Sequence, residues 1–166
     1  MPTLLAPEPP NRPADARLVL PGLARFYALA HPLSYALLRI GAGLTLFTHG
    51  LPKVMGRAHG SMADPMAGST RLIDAVLGLP FAPVLAVFVA GLEFFGGLML
   101  AAGLLTRIVA PMFAVQMAVI CVALGPNYPW IDRGFEYPLM LGFVALFIAF
   151  RGGGPLSLDR AIGREI

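Results

Sequence analysis

Residues 82–105 of this 166-residue chain read APVLAVFVAGLEFFGGLMLAAGLL, and Glu93 is the one charged side chain among them. The hydrocarbon core of a bilayer is about 30 Å thick, so a helix needs about 20 residues to cross it. This stretch is long enough and apolar enough to do so. It therefore predicts a membrane-spanning helix with a carboxylate near its middle.

The composition of the whole chain agrees with a membrane protein. Hydrophobic residues make up 57% of the sequence, charged residues make up 13%, and the mean hydropathy is +0.76. Soluble domains of this size are usually less apolar. The formal net charge is only +3 and the basic residues are scattered between apolar runs, so the composition implies no nucleic-acid partner.

Three further apolar stretches predict an all-α fold, an integral membrane bundle of four transmembrane helices. The predicted spans cover residues 32–51, 82–105, 107–124 and 135–150. His31-Pro32 suits the first turn of a helix, and Thr106 suits the N-cap of the third span. The flanking segments are predicted to be a disordered, proline-rich cytoplasmic tail with an interfacial segment at residues 1–31, and a cytoplasmic tail at residues 152–166.

The distribution of lysine and arginine predicts the orientation, because cytoplasmic loops retain positive charge. Seven of these residues flank the spans on one side and four on the other. The sequence therefore predicts a multi-pass protein of the inner (plasma) membrane with both termini in the cytoplasm. The loop before the second span contains an amphipathic stretch, Ser69–Leu79, which is interpreted as an interfacial loop anchor or as a lid over a lateral ligand site.

Charged and polar side chains within the spans are costly to bury, roughly 2.5 to 3.5 kcal/mol for each charge on insertion scales. The ones that need an explanation are Arg39, His49, Glu93, Gln116 and Glu136, with Lys53 just beyond the first span. With antiparallel neighbours, Arg39 is expected to lie only about 6 Å nearer the cytoplasm than Glu93. One interpretation is an Arg39–Glu93 ion pair that fixes the helix register, and the other is a site that moves protons or polarises a ligand.

A second cluster is predicted at the outer end of the spans. His49 and Lys53 are four residues apart and share a helix face, and Glu136 enters the fourth span at the same end. Such a cluster could hydrogen-bond the two carbonyls of a quinone, or it could be an interfacial salt bridge. These alternatives stay open at this point.

Other kinds of chemistry lack a local signature. The three histidines have no metal-ligand spacing, so no metal site is predicted. Cys121 is the only cysteine, which excludes an intramolecular disulfide and favours a packing role. No dinucleotide fingerprint, P-loop or nucleophile elbow is found.

Four motifs in order resemble the DoxX family of membrane proteins. They are LLRIGAGLTLFTHGLPK at residues 37–53, GLEFFGG at 91–97 followed by GLLTR at 103–107, FEYPL at 135–139, and GPLSLD at 154–159. The resemblance covers roughly residues 35–162. The positions that match recurring family residues are Arg39, Gly50, Lys53, Glu93, Gly97, Arg107, Glu136, Ser157 and Asp159.

The resemblance implies a four-helix inner-membrane protein and a quinone-linked or redox-accessory role. The family takes its name from a subunit of an archaeal terminal quinol oxidase, and other members are associated with thiol, oxidative-stress or quinone-detoxification functions. By residue type, the glycines are interpreted as packing residues, and Ser157 with Asp159 as caps of a short terminal helix. A family fold does not fix a function.

The candidate ligand-binding or proton-relay residues are Arg39, His49, Lys53, Glu93 and Glu136. The first hypothesis is a non-catalytic accessory subunit that binds quinone while a redox partner subunit carries the electrons. The alternatives are a small-molecule or ion transporter, which would need oligomerisation to form a pore, and a scaffold or assembly factor without catalysis. Membrane lipids are the expected surroundings in each case.

Overall fold

The structure, a computed structural model, describes residues 19–163, and this part of the chain is helical without β-strands. The predicted all-α fold is confirmed. The helices are α1 (Ala24–Met55), α2 (Pro65–Arg71), α3 (Ala82–Ala102), α4 (Thr106–Leu124), α5 (Glu136–Arg151) and α6 (Leu158–Ile162). Most of the predicted N-terminal tail, residues 1–18, and the last three residues, 164–166, lie outside the described range.

Helix α1 is longer than predicted, because Pro32 lies inside it and does not begin it. The helix starts eight residues earlier, at Ala24, after a short 3₁₀ turn at Pro21–Leu23. A proline within a helix removes one backbone hydrogen bond, but apolar helix formers on both sides can carry the helix across it. At the other end Gly56 adopts a left-handed conformation, with a φ of +62°, and ends the helix.

Helix α3 contains an irregularity at its centre. Residues Leu92–Gly96 form a π-helical segment between two α-helical halves. Glu93 belongs to this segment, and π-helical turns are rare and occur often at functional sites. The helix ends at Ala102, three residues before the predicted end, since Gly103 takes a φ of +70° and its N–H bonds the carbonyl of Leu100.

Helices α1 and α3 are antiparallel and touch through their backbones. A Cβ added to Gly43 would lie 2.4 Å from the backbone nitrogen of Ala101, and one added to Gly97 would lie 2.7 Å from that of Phe47. Such close approach needs residues without side chains. The interpretation of Gly97 as a packing residue is confirmed.

Helices α4 and α5 form the other extensive contact, and the main core lies where they meet α1 and α3. The fully buried apolar side chains of this core include Leu100, Phe113 and Ile148. The turn from α3 to α4 is only three residues long, so these two helices are also antiparallel neighbours.

The predicted amphipathic stretch is helical but begins earlier. Asp64 accepts a hydrogen bond from the backbone nitrogen of Ala67 and so caps α2, which continues into a second π-helical segment, Leu72–Val76. Ile73 is buried against α3 while Val76 is 59% exposed. The apolar residues of the stretch are therefore only partly covered.

Two of the described helices, α3 and α4, are long and apolar enough to cross a membrane. Helix α5 has 16 residues and is shorter than the roughly 20 that a straight span requires.

Candidate functional site

Three helices meet at the carboxylate of Glu93, which is 4% exposed. Lys53 of α1 places its Nζ 2.6 Å from Glu93 Oε2. Gln116 of α4 donates a hydrogen bond from Nε2 to Glu93 Oε1 at 2.7 Å. We call Lys53, Glu93 and Gln116 the Glu93 cluster.

The close contact between α1 and α3 brings Lys53 to Glu93. A Cβ on Gly50 would lie 2.4 Å from the backbone nitrogen of Phe94 and 2.8 Å from Glu93 Cβ, so only glycine allows this approach. Lys53 follows Gly50 by three residues and therefore lies about one turn farther along the same face. Gly50, interpreted from the sequence as a packing residue, positions the ion pair.

Two histidines adjoin the cluster. The rings of His49 and His59 pack edge to face with their centroids 5.3 Å apart. His49 is close enough to Glu93, Lys53 and His59 to interact electrostatically with all three. Glu93 is buried and His49 is exposed, so polar side chains extend from the buried carboxylate to the surface of the protein.

The two charges of the cluster neutralise each other, but one of its polar atoms lacks a hydrogen-bond partner in the described structure. The Lys53 and Glu93 side chains are 11% and 5% exposed, and removing either one would leave the other charge buried and unpaired. Gln116 Oε1 is buried and has no hydrogen-bond partner within residues 19–163. A buried acceptor of this kind is costly and marks a place where a water molecule or a ligand group would bind favourably.

The predicted Arg39–Glu93 pair does not form, and that interpretation was wrong. Glu93 lies opposite Gly50, whereas the Arg39 guanidinium lies against Gly103, where an added Cβ would be 1.3 Å from Arg39 Nη1. Arg39 and Gly50 are eleven residues apart, or about 16 Å along a helix. The error arose because the register of α1 against α3 is set by glycine contacts between their backbones and not by the ends of the predicted spans.

Arg39 belongs to a second cluster, which the C-terminal segment completes. Its Nη2 donates to the carbonyl of Leu156 at 2.7 Å, while its Nε and Nη1 have no partner in the described part of the chain. Asp159 accepts hydrogen bonds from the backbone nitrogens of Leu105 at 2.7 Å and Thr106 at 3.0 Å. The first turn of α4 is thus capped by a side chain 53 residues away.

This capping arrangement changes the expected roles of Thr106 and Asp159 and confirms that of Ser157. Thr106 was predicted to cap α4, but its hydroxyl has no partner among the described residues, and Asp159 satisfies the N–H groups instead. Ser157 does cap the terminal helix α6, as expected, by accepting from the backbone nitrogen of Arg160 at 3.2 Å. Asp159 was expected to cap α6 together with Ser157, but its carboxylate accepts from the backbone nitrogens at the start of α4 instead. The motif at residues 154–159 singled out Asp159 without identifying these partners.

Glu136 lies in a different setting from the one predicted. It begins α5, and its Oε2 accepts a hydrogen bond from the backbone nitrogen of Trp130 at 3.2 Å. The ion pair of Lys53 in the described structure is with Glu93. Glu136 therefore closes the loop before α5, and Lys53 pairs with the carboxylate of α3, with His49 close by.

An open apolar groove of about 340 Å³ runs between α4 and α5. Its lining includes Ala114, Ala118, Cys121 and Gly142 but none of the five predicted site residues. Residues two positions on either side of Gln116 point to the opposite side of the helix, at about 100° per residue. The groove is therefore separated from the Glu93 cluster by the body of α4.

Within residues 19–163 no three histidine, cysteine or acidic side chains gather in a way that could hold a metal ion. Cys121 is half-buried, with its Sγ 3.9 Å from the carbonyl oxygen of Phe135. The ammonium, carboxylate, amide and imidazole groups at the site can donate and accept hydrogen bonds with polar ligands.

Comparison with known proteins identifies the family. The DoxX family model matches residues 34–125, which include four of the five candidate residues. A protein of Bacillus subtilis (strain 168) named "Putative oxidoreductase CatD" is 31% identical over 124 residues, which cover 74% of this chain and 82% of the relative. No solved structure matches the chain. The resemblance inferred from the four motifs is confirmed, and the chain belongs to the DoxX family of membrane proteins.

Proposed function

We propose that this protein is a four-helix, multi-pass inner-membrane protein that serves as an accessory subunit of a quinone-linked redox system. The relative from Bacillus subtilis carries the name of an oxidoreductase, which supports a redox role. The observation that carries the proposal is the buried Glu93 cluster. Ionisable groups within a membrane protein are costly, and function is the usual reason that they are retained.

The donors of the site suit the oxygen atoms of a quinone ring. The ammonium group of Lys53 has three N–H bonds, of which one is directed at Glu93, and the His49 ring is close by. Lys53 and His49 would hold the ring oxygens. The quinone, when bound, would supply the acceptor for two electrons and two protons.

The protein's own part is to bind the ring and to supply protons. Glu93 balances the charge of Lys53 and orients its ammonium group, with Nζ 2.6 Å from Oε2. Gln116 holds the other carboxylate oxygen in place and leaves its own Oε1 for a hydroxyl or a water molecule. In this proposal a partner subunit would carry the electrons.

Mass spectrometry of quinones that co-purify with the detergent-solubilised protein tests this proposal. The variants are Lys53→Met, Glu93→Met and the double variant Lys53→Met/Glu93→Met, which removes both charges together and keeps the volume. We expect a stoichiometric quinone in the wild type and at least a tenfold loss in all three variants.

The double variant distinguishes loss of quinone binding from loss of folding, because replacing a buried ion pair by apolar residues is often neutral or stabilising. Glu136→Gln is the matched control, a carboxylate at the loop before α5 that should leave the quinone in place. A wild type without quinone would overturn the proposal, and loss in Glu136→Gln alone would place the site at that loop.

A further inference from the structure

The Glu93 cluster lies between two unlike environments. On one side, exposure rises in steps from Glu93 through the Lys53 side chain, at 5% and 11%, to His49, which is exposed. His59 packs on His49 and is held by two backbone hydrogen bonds with Met62, of 2.9 and 3.0 Å. Polar groups therefore lead from the carboxylate to the surface at the end of α1.

On the other side the cluster faces a dry layer. Leu46, Leu100 and Phe113 are 2%, 0% and 0% exposed and belong to one buried apolar group. They lie between Glu93 and the Arg39–Asp159 end of the helices, a separation of about 16 Å along α1. The backbones also meet there, at Gly43 and Gly97, with no room for a Cβ.

We infer that the Glu93 cluster opens to water on one face of the membrane only, through an entrance formed by His49 and His59. Water and protons reach Glu93 from that face, and the apolar layer seals the cluster from the face on which Arg39 and Asp159 lie. Gln116 Oε1, which has no partner in the described structure, is the innermost polar atom that such water would meet.

This inference goes beyond the proposed function and does not depend on quinone. Any proton taken up or released at Glu93 would be exchanged with a single compartment. A path for ions through the chain itself would have to cross the layer of Leu46, Leu100 and Phe113, where charge is strongly disfavoured.

The single cysteine makes a direct test simple, because Cys121→Ala yields a cysteine-free chain. Single cysteines are then introduced as His49→Cys at the entrance, Gln116→Cys in the cluster and Leu46→Cys in the layer. Silver ions, which are small, thiol-specific and poorly permeant, are added to sealed vesicles of each orientation. Protection from later maleimide labelling in detergent measures the reaction.

We expect His49→Cys and Gln116→Cys to react from the same face and Leu46→Cys to react from neither. Adding His49→Trp to the Gln116→Cys chain should slow its reaction at least tenfold by filling the entrance. If Gln116→Cys does not fold, Lys53→Cys/Glu93→Gln reports on the same path without an unpaired charge.

Three outcomes would overturn the inference. Reaction of Gln116→Cys from both faces would mean a continuous channel. Reaction only from the face opposite His49 would place the entrance at the wrong end, and no reaction from either face would mean a closed cluster. A wild type without co-purifying quinone, together with labelling of the cysteine variants from one face, would count against the proposed function and leave this inference standing.

Discussion

Glu93 has one charged partner and one neutral partner, and each contacts a different oxygen of its carboxylate. Lys53 balances its charge at 2.6 Å, and Gln116 satisfies its second oxygen at 2.7 Å. Each partner comes from a different helix, so the carboxylate links α1, α3 and α4. The stability of this link depends on both charges being present or both being absent.

The ion pair should therefore show strong coupling in unfolding experiments. Lys53→Met and Glu93→Met should each lower the free energy of unfolding by about 3 to 5 kcal/mol, because each leaves a buried unpaired charge. The double variant should be near neutral or more stable than the wild type. Detergent titration of the purified protein in mixed micelles measures all four free energies. Additive losses in the double variant would contradict a direct pair.

Residue types could be predicted better than residue pairs. Glu93 was named from its cost of burial and Lys53 from its place one turn after His49, whereas their pairing depended on the register of α1 against α3. That register is set by glycine contacts between backbones, which a single sequence does not reveal. Gln116 was noted as a buried polar residue but not as a site residue, because a lone amide carries no pattern of its own.

Among the helices, α1 and α3 depend on glycine at specific positions. Gly50 and Gly41 are both in α1 but face different surroundings. A Cβ at Gly50 would meet the backbone of α3, and one at Gly41 would meet nothing within 4 Å. This pair of glycines offers a matched test of helix contact against helix propensity.

Gly50→Ala should destabilise the protein by about 1 to 3 kcal/mol, because α1 and α3 must move apart. Gly41→Ala should be neutral or stabilising by up to about 1 kcal/mol, since alanine is the better helix former. Thermal unfolding in detergent measures both changes. Equal effects of the two substitutions would show that α1 and α3 do not meet at Gly50.

The bounds of α4 and α5 followed closely from hydropathy, but those of α1 and the irregularities of the helices did not. The starts of α3 and α4 lie within one residue of the predicted ones, because the apolar runs there are flanked by glycine, proline or charge. Pro32 was taken as a helix start and lies inside α1. The π-helical segment at Leu92–Gly96 has ordinary helix-forming neighbours, so only the packed structure reveals it.

For the molecule as a whole, the proposed topology makes a simple prediction. With four spans and cytoplasmic termini, an alkaline phosphatase fused after Gly60 should be active and one fused after Gly163 inactive. A green fluorescent protein reporter at the same two positions should give the reverse result. Phosphatase activity after Gly163 would rule out a cytoplasmic C-terminus and would invert the assignment of the His49 face.

The capping of α4 by Asp159 determines when this helix can be completed during translation. The backbone nitrogens of Leu105 and Thr106 bond to the carboxylate of Asp159, which is translated 54 and 53 residues later. During translation the first turn of α4 must wait for the ribosome to pass the codon for Asp159. A stop codon ahead of that position would leave the N–H groups of Leu105 and Thr106 without their acceptor. Quality-control proteases would then recognise damage at α4, which has already been synthesised, and not at the missing C-terminal end.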